Sequence, residues 1–207
     1  MRDAARVEAF SDGVIAIAIT LLVLEIRVPD VSHGKLAHAL AHQWPSYVAY
    51  VLTFFVIGVM WVNHHAMFQQ IERVDRTLLF LNIGLLMGIA FLPFPTALVA
   101  RYLRAGDDAR VATAIYSATM VVIGCGFLVL WWYLARNPRL LRDGFGAASA
   151  QRMLRRTIIG PALYAASIVV ALLAPMLCLV VYAALAVYFV FPARAQDVAT
   201  SNEGGVT

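Results

Sequence analysis

The chain has 207 residues, 62% of them hydrophobic and only 14% charged. Its mean hydropathy of +0.78 is too apolar for a water-soluble domain of this size, so lipid is its solvent and no soluble catalytic domain is hidden in it. The net charge of +4 raises nucleic acid as a partner, but the sixteen basic residues are scattered at the ends of apolar runs as topology signals, which argues against it.

At roughly 20 apolar residues per crossing, the chain supplies six transmembrane helices and little else. The first runs from Val7 to Ile26 and is closed by Arg27, Val28 and Pro29, since proline cannot continue a helix. Its flank mixes Arg2 and Arg6 with Asp3, Glu8 and Asp12, and the nearest Ala-x-Ala, Ala37-His38-Ala39, lies beyond four charged residues. It is therefore expected to be a retained helix and not a cleaved signal. Pro45 opens the second span, which reaches about Phe68 behind the interfacial Trp44, Tyr47 and Tyr50.

A charged turn from Glu72 to Arg76 leads to the third span, Thr77 to Val99, whose far end Pro93 and Pro95 should kink or break. The fourth covers Ala109 to Ala135 and ends in Trp131, Trp132 and Tyr133. After an arginine-rich loop come the fifth, Thr157 to Leu173, and the sixth, Met176 to Phe191, folded into a hairpin at Ala174-Pro175. Cys125 and Cys178 sit inside apolar runs and read as packing residues. Residues 1–192 thus form one all-α integral membrane domain, and the polar segment 193–207 is expected to be a disordered cytoplasmic tail.

Orientation follows from the basic residues. Arg2, Arg6, Arg73, Arg76, Arg136, Arg139, Arg142, Arg152, Arg155, Arg156 and Arg194 fall on one side, against Arg27, Lys35, Arg101, Arg104 and Arg110 on the other. The positive-inside rule then puts both termini in the cytoplasm of a multi-pass inner-membrane protein.

On a wheel of about 100° per residue, Arg6, Phe10, Gly13, Ile17, Thr20, Leu21, Leu24 and Val28 lie within about 60° of one direction. By periodicity alone such a stripe is explained by ordinary helix packing. Gly13, Ala16 and Ala18 would let neighbouring backbones come close. Asp12 points about 140° away from the stripe, toward other helices, where a carboxylate near the membrane boundary needs a donor such as an arginine, an indole or a histidine. The simpler reading is that Ser11 and Asp12 start or cap the helix.

Trp61-Val62-Asn63-His64-His65 ends the second span on the same side of the membrane as Asp12. Adjacent histidines diverge by about 100° and lack a nearby Glu or Cys at ligand spacing, so they are expected to form hydrogen bonds or a proton-sensitive contact and not a metal site.

Arg6-x-x-x-Phe10-Ser11-Asp12-Gly13, Trp61-x-x-His64-His65, Asn82 and Leu92-Pro93-Phe94-Pro95-Thr96 together resemble the bacterial relatives of the lysosomal potassium channel transmembrane protein 175. The specific motifs lie in the first three helices, and the later helices match in length and hydropathy. The resemblance implies a potassium-preferring cation channel without the TVGYG filter, which this sequence also lacks. It implies a homotetramer in the lipid bilayer whose first helices line a central pore, with potassium as the permeant ion and no cofactor or resident metal. By the same resemblance Ile17, Thr20, Leu21 and Leu24 take the constriction. Arg6, Phe10, Ser11 and Asp12 join a structural polar network with Trp61, His64 and His65.

Two other classes compete. A proton-coupled transporter would use Asp12 with His64 or His65 as a relay, but the first helix has no interior break and no ionisable residue at mid-membrane. For a membrane enzyme, no nucleophile, base and orienting group stand together.

Overall fold

The computed structural model of the chain describes residues 2–190. Segment 193–207, read above as a disordered tail, lies outside the described residues, as do Phe191 and Arg194. The first helix, α1, spans Ala4–Leu21 and tightens into a 3₁₀ turn over Leu22–Glu25. Ile26 then turns extended (φ −85°, ψ 96°) ahead of Pro29.

A seven-residue helix, α2 (Leu36–His42), follows in the connection and buries no residue. Nothing in its hydrophobic periodicity announces it, because it packs too little surface to need an apolar face. The long helix α3 (Trp44–Phe68) takes Pro45 in its first turn, where the missing N–H costs nothing.

The third span is divided at Leu92 into α4 (Arg76–Phe91) and α5 (Pro93–Tyr102). Asp75 caps α4 by accepting from the Leu78 N–H at 2.9 Å and also accepts from the Tyr133 hydroxyl at 2.7 Å. At the break, the Thr96 N–H and hydroxyl lie 3.1 and 2.8 Å from the Leu92 carbonyl, holding the helix where the prolines remove donors. The longest helix, α6 (Asp107–Arg136), is the central post and packs against α4, α5, α8 and α9. It closes on α8 through Gly124, where a Cβ would stand 2.6 Å from the Pro161 ring.

Helices α7 (Ala147–Thr157) and α8 (Ile159–Leu173) follow almost without interruption, and α9 (Pro175–Val190) folds back on α8. Among the described residues, five segments are long and apolar enough to cross a membrane: Ala4–Glu25, Trp44–Phe68, Arg76–Tyr102, Asp107–Arg136 and Ala147–Leu173. The sixth expected span corresponds to α9, which is described from Pro175 to Val190.

One departure from an all-helical chain is a two-residue antiparallel ladder. In it β1 (Arg2–Asp3) pairs with β2 (Arg73–Val74), Arg2 opposite Val74. Beside it Ile71 bridges Leu141, with the Glu72 N–H on the Leu140 carbonyl and the Arg142 N–H on the Gln70 carbonyl, both 2.9 Å. These bonds clamp the start of α1, the α3–α4 turn and the loop after α6 into one arginine-rich end of the bundle.

Candidate functional site

The two sides of α1 meet different surroundings. Ala4, Ser11, Ile15, Ala18 and, in the 3₁₀ turn, Leu22 are buried, packed toward α3, α4 and α5. Phe10, Ile17, Leu21 and Leu24 are 59%, 60%, 42% and 70% exposed on the single chain, and Thr20 is exposed with its hydroxyl donating to the Ile17 carbonyl at 2.9 Å. The wheel therefore describes the exposed stripe through Leu21. Leu24 lies beyond it, in the 3₁₀ turn, where the advance per residue is larger. Beside the stripe, Gly13 and Ala16 are exposed and a Cβ on Gly13 would meet nothing within 4 Å, whereas Ala18 is buried.

Behind α1, at the arginine-rich end, three sets of polar contacts connect it to its neighbours. The Ser11 hydroxyl donates its one proton to the Val7 carbonyl at 2.8 Å, so it accepts from Asn82 Nδ2 at 2.9 Å. That orientation turns Asn82 Oδ1 toward His64 Nε2, also at 2.9 Å, and requires the His64 proton on Nε2. His64, Asn82 and Ser11 are all buried. One directed chain of hydrogen bonds thus crosses from α3 through α4 to α1, and His64 Nδ1 is left without a partner, its ring stacked 4.3 Å from Phe68.

In the second set, the Trp61 indole N–H donates to Asp12 Oδ1 at 2.9 Å. Of the donors open to Asp12 from sequence, the structure uses the indole, and neither histidine hydrogen-bonds it. In the third, His65 Nδ1 approaches Glu8 Oε1 to 2.6 Å, an ion pair when the imidazole is protonated, though off the line of a directed hydrogen bond. Gln69 Nε2 lies 2.8 Å from His65 Nε2, and the Trp61 ring stacks on the imidazole at 5.9 Å. Adjacent histidines on one helix therefore serve different partners, as their divergence of about 100° demands.

Arg6 and Phe10 do not join these contacts. Both are exposed, and Arg6 forms no ion pair with a described residue. Glu8 and Gln69 were missed by the sequence reading. Glu8 carries a usable signal, standing one turn before Asp12 on the same side of α1, and Gln69 stands one turn after His65. Among the described residues no group of three or more His, Cys, Asp or Glu side chains is placed to hold a metal ion.

The comparisons fall on this same part of the chain. A family model described as the endosomal/lysosomal potassium channel TMEM175 matches residues 6–93, from the arginine of the first motif to the proline of the α4–α5 break. A Streptomyces collinus protein named as a potassium channel is 47% identical over 192 residues, covering 92% of this chain and 93% of its own length. The chain belongs to the TMEM175 family. A second relative in the family, a Chamaesiphon minutus protein named as a potassium channel, is 40% identical over 196 residues, with 93% of this chain and 96% of that protein covered. The crystal structure of a lysosomal potassium-selective channel TMEM175 homolog from Chamaesiphon minutus superposes with a TM-score of 0.80 at 39% identity, covering 90% of this chain and 96% of that one. Together with its apolar helices, this TMEM175 relative is a multi-pass membrane protein with a channel fold.

Proposed function

We propose that this protein is a potassium-preferring cation channel that conducts passively along an axis lined by α1 of four identical subunits. The observation that carries the reading is the apolar stripe of Ile17, Thr20, Leu21 and Leu24. It is left uncovered on a helix whose other side is fully packed, in a chain whose relatives are named as potassium channels. Around a four-fold axis, Ile17, Leu21 and Leu24 become rings of branched apolar side chains, narrow enough to stop ions by dewetting. A ring of Thr20 hydroxyls then replaces part of an ion's water shell, giving a modest preference without a TVGYG filter. Ser11, Asp12, Trp61, His64 and His65 hold the rear of α1, and Arg6 and Phe10 face the neighbouring subunits.

In the same reading α9 completes a sixth crossing, and both termini lie in the cytoplasm of the bacterial inner membrane, as the eleven-to-five distribution of basic residues favours. Neither cofactor nor catalytic group takes part. Potassium flux into liposomes tests the proposal. Ile17→Asn wets one apolar ring and is expected to raise cation flux about tenfold or more, a barrier change of about 1.4 kcal/mol. Unchanged flux from a correctly assembled variant would exclude the apolar gate. Proton flux that disappears in Asp12→Asn while potassium flux is retained would point to the proton-coupled transporter instead.

A further inference from the structure

The connection from Arg136 to Thr157 carries six arginines, Arg136, Arg139, Arg142, Arg152, Arg155 and Arg156, against one carboxylate, Asp143. All six are exposed, and the three ion pairs among the described residues involve none of them. A loop that only signals its side of the membrane needs the charges but no particular arrangement of them. Here half of them are arranged.

On α7, Ala150 is fully buried and Met153 and Leu154 pack against the core. Arg152, Arg155 and Arg156 occupy an arc of about 100° on the opposite side. The Arg152 guanidinium donates to Ser149 on that same side at 2.9 Å. Because α6 already covers the apolar side of α7, this helix does not roll that side into lipid as a free amphipathic helix does. It presents its cationic side outward.

The depth of that side is set by α8, whose apolar run begins with the exposed Ile158 and Ile159. At about 1.5 Å per residue, Arg155 and Arg156 stand about 3 to 5 Å from Ile158 and Arg152 about 9 Å. The headgroup layer is roughly 5 to 8 Å thick on each side of the hydrocarbon. The aromatic belt agrees: exposed Trp132 carries the Arg136 guanidinium 4.6 Å from its ring, and Phe145, just before α7, packs 6.1 Å from Trp131.

We infer that the arginine side of α7 is a docking surface for the phosphate diesters of anionic phospholipids in the adjacent leaflet, with phosphatidylglycerol as the representative headgroup. Guanidinium groups pair with phosphate oxygens through two parallel hydrogen bonds. No described carboxylate competes for these groups. The exposed Ile159, on the same side of the helix just below, gives the acyl chains of the same lipid an apolar wall, which a soluble anion does not use. This surface is separate from α1 and does not depend on the pore reading.

Native mass spectrometry of the purified full chain, equilibrated with phosphatidylglycerol and phosphatidylcholine of matched acyl chains, measures the preference. Retention of phosphatidylglycerol should exceed that of phosphatidylcholine, and each of Arg152→Gln, Arg155→Gln and Arg156→Gln should reduce the excess by about fivefold at low salt. Arg101→Gln with Arg104→Gln, at the far end of the bundle, should leave it unchanged, and the triple lysine variant should keep most of it. An unaltered preference in the triple glutamine variant, an equal loss in the far-end control, or full displacement of the lipid by inorganic phosphate at the same concentration overturns the inference. Should the glutamine variant fail to fold, the unaltered chain decides. A lipid preference that does not weaken at all as salt rises to about 0.5 M is not made by these exposed arginines.

Discussion

Along the first six turns of the chain, Ser11, Ile15, Ala18 and Leu22 are 0 to 1% exposed, while Ile17 and Leu24 on the other side are 60% and 70% exposed. Both sides contain isoleucine and leucine, so hydrophobicity does not separate them. What separates them is partnership. The covered side is satisfied within one chain by α3, α4 and α5, and the bare side offers a surface that only lipid, a second copy or an axis can complete. A helix of this kind is read correctly only when its two sides are given different solvents.

The largest way to break that contrast is to spoil the bare side without touching the covered one. Gly13→Leu adds a side chain where the chain itself offers open space, so the subunit should fold while the proposed tetramer is lost. Size-exclusion chromatography with light scattering would show the mass drop, and retention of a tetramer would remove Gly13 from any close helix contact. Next comes the reverse operation. Ile15→Ala empties a packed position and should cost about 3 kcal/mol, read as a lower thermal midpoint, while ion preference stays as in the parent.

Smaller effects are expected where α1 is held by polar contacts. Asn82→Ala leaves the buried His64 N–H without an acceptor and removes the donor to Ser11, whose own proton stays on Val7, and should cost about 1 to 2 kcal/mol, more than Ser11→Ala, which removes one end of the chain of bonds. Equal losses from the two variants would mean that the His64–Asn82 bond adds nothing of its own. The smallest change is Trp61→Phe, which retains the ring against His65 but removes the bond to Asp12. About 0.6 kcal/mol is the scale for one such bond in a membrane protein, resolvable by the shift in thermal midpoint in detergent.

How much of this was legible beforehand follows the type of signal involved. Apolar runs of helical length are strong signals, and they located the first four long apolar segments to within about three residues, while the fifth begins earlier than Thr157, at Ala147. The divided third span followed from Pro93 and Pro95. The position of Asp12, away from the stripe, followed from counting around the helix. Pairings were less visible, because a contact between distant helices leaves no spacing in the sequence. Glu8 became a partner of His65 only through the packing of α1 on α3, whereas Gln69, one turn after His65 on the same helix, left a spacing that could be read.

The same holds for a second buried cluster, in which Thr53 lies 3.2 Å from the Tyr116 hydroxyl and 3.1 Å from that of Thr96, and Ser117 bonds Tyr182. Thr53, Thr96 and Tyr182 each sit alone in an apolar run, and the adjacent Tyr116 and Ser117 do not by themselves show which helices they meet. Helix α2 and the β1–β2 pair were hidden for a different reason: they are too short for a periodicity to form.

The contacts behind α1 also set a timetable for making the protein. Ser11 waits 71 positions for Asn82, and Asp12 waits 49 for Trp61. At roughly 5 to 20 residues per second of synthesis, the first helix emerges roughly 4 to 14 seconds before its last polar partner exists. Until α3 follows, Glu8 and Asp12 depend on water or on the insertion machinery for their partners, while Ser11 is held by the Val7 carbonyl of its own helix. The helix made first is therefore the one completed late, and a chain interrupted before α3 leaves the ribosome with that helix inserted but not yet anchored.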